Sequence, residues 1–151
     1  MVNKGNILGK FHSVAEKARP QEGVTFGEVS QPELVSLLFS FKLSPSGRRS
    51  LVLLAEKGTQ NQRSLAHALD ISPQAMSETI KKLLDHGCIT KENGKQKNEN
   101  FISLTPLGED LAQLLVEMIQ NHAEDFFQSF SEEDLLLFEK LLEQLLGTLE
   151  K

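Results

Sequence analysis

Tryptophan and tyrosine are absent from the 151 residues, and cysteine occurs once. Without those aromatics, a carbohydrate cleft or a single-strand platform built on stacked rings has little to be made from. A lone cysteine excludes an internal disulfide framework and any CxxC redox or zinc motif. No run of ~18 apolar residues exists, so no membrane-spanning helix is expected. Residues 1–19 are polar and amphipathic and lack the continuous apolar stretch of a secretory signal, which makes the cytoplasm the expected location. Also missing are a Gly-rich phosphate loop, an HExxH pair and a nucleophile elbow, so no enzyme is expected. The acidic residues near the C-terminus fall on exposed faces of helical patterns, which is the arrangement of solvation and not of paired catalytic carboxylates.

What is present is an ordinary globular composition, 39% hydrophobic and 25% charged. The length suits one domain, or one domain with an interaction arm. The net charge of -5 is unevenly spread. Residues 44–104 carry nine Lys/Arg against six Asp/Glu, whereas residues 105–151 carry two Lys against eleven Asp/Glu. A mildly basic middle beside an acidic end suits a nucleic-acid reader whose acidic part faces away from the phosphates, and it also suits ordinary surface variation.

Along the chain, Ile7, Leu8, Phe11, Val14, Ala15 and Ala18 recur at helical spacing, which predicts a helix over 6–19 stopped at Arg19-Pro20. Residues 23–27 read as loop. Ser30 and Glu33 have capping-box spacing before a short apolar helix over 34–41. Ser44-Pro45 is an N-cap followed by proline at the first helical position, and Leu51, Val52, Leu54 and Ala55 form the buried face of a helix that Gly58 ends. Asn61 caps a helix over 62–69 that buries Leu65, Ala66 and Leu69. Asp70-Ile71-Ser72-Pro73 repeats the grammar of turn, cap and proline. The helix that follows runs over 73–86 with Met76, Ile80, Leu83 and Leu84 inward, and Gly87 closes it.

The period then changes. Residues 88–91 and 101–104 read as strands of an antiparallel hairpin, joined by a polar loop over 92–100. Thr105-Pro106 starts a long helix whose apolar stripe extends from Leu107 through Met118 and Ile119 to Phe126, Phe127 and Phe130. Ser131 caps a final helix carrying Leu135, Phe138, Leu141, Leu142, Leu145 and Leu149.

Three short helices followed by a hairpin is the order of a winged helix-turn-helix. A helix held across a tight turn by its predecessor can enter the major groove, which is about 12 Å wide. On the 73–86 helix the free face carries Gln74, Ala75, Ser77, Glu78, Lys81 and Lys82. Short polar groups near its N-terminus reach base edges, and lysines further along reach phosphates. Lys95 and Lys97 stand at the hairpin tip, where a wing touches the backbone or minor groove. The same pattern also fits a helical mini-domain that touches protein and uses these lysines for solubility.

Residues 43–108 resemble the MarR family of bacterial winged-helix regulators. LSPSGRRSLVLLAEKG is similar to the family's helix leading into the DNA-binding unit, and RSLAHALDISPQAMSETIKKLLDHGCI to its helix-turn-helix. ISLTPLGEDL is similar to the second wing strand and the start of the long dimer helix, and FSEEDLLLFEKLLEQL to the last helix. The resemblance implies a mainly α fold with a winged helix-turn-helix and a helical dimerisation region. Residues 1–43 would then supply N-terminal helices of the dimerisation region. Residues 44–104 would form the DNA-binding lobe, with recognition helix 73–86 and wing 88–104, and residues 105–151 the C-terminal dimerisation helices. It further implies a homodimer on pseudo-palindromic double-stranded DNA. That dimer would repress a neighbouring gene and be released by a small organic effector, such as a phenolic or other aromatic acid, bound between lobe and dimer region. No other cofactor, no metal and no membrane are implied. The alternative is a MarR-like protein-interaction module with weak or lost DNA binding.

Four departures from the family pattern stand out. Relatives carry an Asp-x-Arg pattern in the wing, whereas ENGKQKNEN has no arginine, and Lys95 or Lys97 is a point charge without the planar fork. Glu78 stands where many relatives place arginine; it can accept from cytosine N4 but repels phosphate. Gln60 replaces the apolar residue of a short strand before the helix-turn-helix, and Pro20 with the 23–27 loop breaks the long first helix of relatives.

Other chemistry is outweighed. Cys88 beside Ile89 is expected to be a buried, inert thiol. A zinc site around His122 with Glu117 or Glu124 competes with His122 simply filling the helix stripe. Arg48 and Arg49 could clamp a ligand carboxylate, contact phosphate or be solvated.

Overall fold

The computed structural model describes residues 2–17, 31–97 and 99–150. The stop at Arg19-Pro20, the 23–27 loop and Ser30 lie outside the described residues. In chain order the elements are α1 (Lys4–Lys17), α2 (Pro32–Ser40), α3 (Pro45–Lys57), β1 (Gln60–Asn61), α4 (Gln62–Leu69), α5 (Pro73–Asp85), β2 (Ile89–Asn93), β3 (Asn100–Leu104), α6 (Pro106–Phe126) and α7 (Glu132–Leu149). They form two compact units, one spanning residues 26–120 and the other made of the two chain ends. No described helix is long and apolar enough to cross a membrane.

The central unit is built on capped helices. Ser44, Asn61 and Ser72 each accept a backbone N–H from the first turn of α3, α4 and α5, from Gly47, Arg63 and Ala75 respectively. Such caps satisfy donors that the helix leaves unpaired, each contributing about 1 kcal/mol. α2 differs from expectation: it opens after Gln31, which makes no side-chain cap, with Pro32 at its first turn. Leu51, Leu65, Met76, Ile80, Leu83, Ile102 and Leu111 are fully enclosed in one core.

Two residues expected inside are outside. Ala55 is exposed, and Leu84 remains 37% exposed. On α5 the buried residues are Met76, Thr79, Ile80 and Leu83. Leu84 lies about 100° further round the helix than Leu83, off that face, and Ala55 stands in the same relation to buried Leu54 on α3.

The sheet is antiparallel in the order β1-β3-β2. β2 pairs with β3 from Ile89↔Leu104 to Asn93↔Asn100, so the hairpin arms are longer than the sequence pattern indicated and the tip shorter. The short strand containing Gln60 persists as β1, pairing Gln60 with Ile102 and Asn61 with Phe101. Glycine is demanded by the backbone on both sides of the hairpin. Gly87 turns the chain out of α5 at φ +72°, a conformation that disfavours a side chain. At Gly108 a Cβ would sit 1.9 Å from the carbonyl oxygen of Cys88, so the start of α6 can pack on the strand entry only without one. Thr105 fixes the same junction: its hydroxyl donates to the Gly87 carbonyl and accepts the Gly108 N–H, while its own N–H donates to the Cys88 carbonyl at 3.0 Å.

In the terminal unit, α1 exposes Ile7, Leu8, Phe11 and Val14. α7 opens with a capping box in which the Ser131 hydroxyl accepts the Asp134 N–H and the Asp134 carboxylate accepts the Ser131 N–H. It buries no residue. The stripe expected to continue through Phe130 ends with the helix at Phe126, and Phe127 and Phe130 lie in the turn beyond. Phe127 there meets Phe126 and Phe130 edge-on.

Candidate nucleic-acid interface

The α4–turn–α5 segment holds its second helix by backbone chemistry. Asp70 takes the left-handed conformation at φ +53°, and its N–H closes α4. An aspartate tolerates that region better than most residues. The Ile71 N–H reaches back to the Ala66 carbonyl at 3.1 Å, after which Ser72 and Pro73 start α5 in a new direction. Leu65, Ala66 and Leu69 of α4 and Met76, Ile80 and Leu83 of α5 belong to the common core, which fixes the angle between the helices. At its far end α5 is closed by His86, whose ring stacks on Phe41 at 4.1 Å, and by Cys88, whose N–H donates to the Leu83 carbonyl at 2.9 Å.

This packing leaves Gln74, Ser77, Glu78, Lys81 and Lys82 exposed, with Ala75 half-buried among them. All six residues singled out on this helix are therefore on α5 outside its buried face. Lys95 and Lys97 are exposed in the β2–β3 tip. The tip has internal order: the Gly94 N–H donates to the Glu99 carbonyl at 2.7 Å, and the Glu99 carboxylate accepts the Gln96 N–H at 3.2 Å. Asn98 lies outside the described residues. The face is mixed in sign: Lys81 and Lys82 share α5 with Glu78 and Asp85, and Lys95 and Lys97 share the wing with Glu92 and Glu99.

Sequence reasoning missed two features. Gln62, at the first position of α4, donates from Nε2 to the Ser77 hydroxyl at 3.3 Å. Glu99 organises the tip that carries the lysines. Neither contact has a sequence signal; the first joins residues fifteen apart through tertiary packing. Arg49 reaches the Leu69 carbonyl at 3.5 Å, placing one guanidinium N–H at the end of α4. Cys88 is fully enclosed, and burial raises its pKa above the ordinary value, so the thiol is held neutral. The ring of His122 lies 6.0 Å from that of Phe126. Among the described residues no group of three His, Cys, Asp or Glu could hold a metal ion.

Residues 43–96 match the model of the MarR family. The sequence matches no curated protein. Solved structures share the whole architecture at low identity. A MarR transcriptional regulator from Methanosarcina mazei Go1 superposes with a TM-score of 0.75 at 18% identity, over 98% of this chain and 92% of that one. A MarR-family transcriptional regulator from Listeria monocytogenes, complexed with 26mer DNA, gives 0.72 at 20% identity over 98% and 89%. NadR in complex with 4-hydroxyphenylacetate gives 0.61 at 20% identity over 96% and 92%. The winged helix-turn-helix with flanking helices is thus the fold of this chain.

Proposed function

From a MarR-family domain at residues 43–96 within the MarR winged-helix fold, we propose that this protein is a homodimeric, sequence-specific DNA-binding regulator of transcription, acting as a repressor that a small organic acid releases. The observation that carries the proposal is the exposed polar face of α5, held out by a capped turn beside a lysine-tipped hairpin. In this reading Gln74, Ala75, Ser77 and Glu78 read base edges in the major groove, and Lys81, Lys82, Lys95 and Lys97 neutralise phosphates. Residues 44–104 act as the reading lobe, with residues 1–43 and 105–151 joining two copies on a pseudo-palindromic operator. The Listeria neighbour complexed with DNA supports the partner, and the NadR complex with 4-hydroxyphenylacetate supports the class of effector. An effector acts by its differential affinity for lobe spacings that match or mismatch successive major grooves.

Dimerisation is supported by the terminal unit, since α7 leaves Leu136, Leu137, Leu141, Leu145, Leu146 and Leu149 exposed in the single chain. Helices this apolar are covered in solution, and an isologous interface does so. The reading is tested by retention on DNA at low salt and by selection of bound sequences from a random pool. Enrichment of an inverted repeat, with affinity falling steeply with salt, is the expected result. No binding at low salt would instead make the protein an interaction module. Changing Gln74 to Ala should alter the enriched sequence at one position in each half-site.

A further inference from the structure

We propose that Gln62, outside the helix that faces DNA, is a specificity-determining positioning residue that makes Ser77 a hydrogen-bond donor. The inference rests on the reading of α5 as the DNA-facing helix. A free serine hydroxyl rotates to suit its partner, offering one proton or two lone pairs, and so discriminates poorly between base edges. Ser77 is exposed on the second turn of α5, but its hydroxyl is not free: Gln62 Nε2 donates to it at 3.3 Å. Gln62 is itself half-buried, and its Oε1 is enclosed with no hydrogen-bond partner among the described residues. The amide is therefore seated with its carbonyl inward and its N–H groups toward the serine. Turning it over would bury two donors in place of one acceptor.

With one of its two lone pairs held by the amide, Ser77 has its proton and a single lone pair left for the open face shared with Gln74 and Glu78, which tilts the hydroxyl toward donating. Ser77 then favours acceptors, namely purine N7, guanine O6 or thymine O4, and disfavours the amino group of cytosine at the base it faces. Neighbouring Glu78 can do the reverse, since a carboxylate only accepts. The two side chains present opposite polarities at adjacent positions, and Gln62 fixes the first of them.

The test uses the full-length chain and sequence selection from a random DNA pool, followed by affinities for the preferred site and its single-base variants. Gln62→Ala should shrink the preference at one base position per half-site by about fivefold, the worth of one hydrogen bond. Affinity for random-sequence DNA and the salt slope should not change. Gln62→Glu would accept the Ser77 proton and leave lone pairs outward, so preference at that position should move toward cytosine or adenine amino groups. The added charge weakens all sites alike and cancels in the ratio. In a Ser77→Ala background neither change should move the preference. A uniform loss over all sequences, or an effect that persists without Ser77, would overturn the assignment while leaving the regulator reading intact. Failure of the wild type to bind any DNA at low salt would overturn both. Should Gln62→Ala melt far below the wild type, the Gln62→Glu ratio decides alone.

Discussion

α5 and α7 are both leucine-bearing helices opened by a capping serine, yet they meet opposite fates. α5 buries Met76, Thr79, Ile80 and Leu83 within 13 residues; α7 buries nothing within 18. The difference is not one of hydrophobicity, because α7 carries the larger apolar load. It is one of supply: the central unit provides α3, α4 and the hairpin for α5 to pack upon, whereas the face of α7 with Leu141, Leu145 and Leu149 remains open in the single chain. An apolar helix surface that its own chain leaves uncovered is what the proposed association would bury. One region is therefore expected to be stable by itself and the other by mass action.

The most severe way to break the central unit is Gly108→Ala. Its Cβ would meet the backbone oxygen of Cys88 at 1.9 Å, and a backbone group cannot swing aside as a side chain does. A loss of about 3 kcal/mol or more, or failure to fold, is expected by denaturant unfolding. A melting temperature within a few degrees of wild type would show that α6 can shift away from the hairpin at little cost.

The comparison is sharpened by a matched pair of truncations. Leu83→Ala removes a fully enclosed side chain and should cost about 2–5 kcal/mol at every protein concentration. Leu145 is 50% exposed in the single chain, so Leu145→Ala should act mainly through the proposed dimer. Wild-type melting temperature should rise with protein concentration, Leu145→Ala should flatten that rise, and sedimentation should show more monomer at micromolar concentration. Equal, concentration-independent losses from both changes would place α7 in an intramolecular core.

Much of this was legible in the sequence because its signals are local. Ser44-Pro45, Ser72-Pro73 and Ser131 announce helix starts through hydrogen bonds made within one turn, and the caps appear where those residues stand. Leu84 and Ala55 were misplaced because each adjoins a buried leucine and only the angle round the helix separates the two. The hairpin arms ran past the expected ends because polar Glu92, Asn93 and Asn100 pair through their backbones, which hydropathy does not report. On the candidate interface the exposed residues of α5 followed from helical periodicity. The Gln62–Ser77 bond did not, because it depends on which distant side chain folding brings near, and the Glu99-ordered tip, though it joins residues only three to five apart, follows no cap or turn pattern.

A smaller effect separates the two kinds of contact assigned to the lobe. Lys95 and Lys97 are exposed on a tip whose backbone is held by Glu99, so removing their charges leaves the hairpin in place. Lys95→Ala with Lys97→Ala should weaken all DNA sequences alike and make the logarithmic salt slope shallower by about 0.9 per lost phosphate contact. Preference among sequences should be untouched. A changed preference would assign base contacts to the wing despite its lack of arginine.

The smallest effect concerns Cys88, which belongs to the interior of the stable region. Burial raises its pKa above the ordinary thiol value of 9.0, since desolvation penalises the thiolate. The sign follows from linkage. The unfolded chain loses the proton at lower pH than the folded one, so the neutral-thiol contribution is complete below the unfolded pKa. It fades as pH climbs from about 9 toward the folded value. Wild-type stability should accordingly decline above pH 9 more steeply than that of Cys88→Ala, whose profile lacks this group. The same neutrality bears on signalling, because it is the thiolate that attacks peroxide, and a single cysteine has no resolving partner within the chain. Peroxide should leave the wild type bound to DNA, and Cys88→Ser should bind as the wild type does. Peroxide-induced release that disappears in Cys88→Ser would show that the lobe opens far enough, often enough, to expose this sulfur, and would make the stable half of the molecule its sensor.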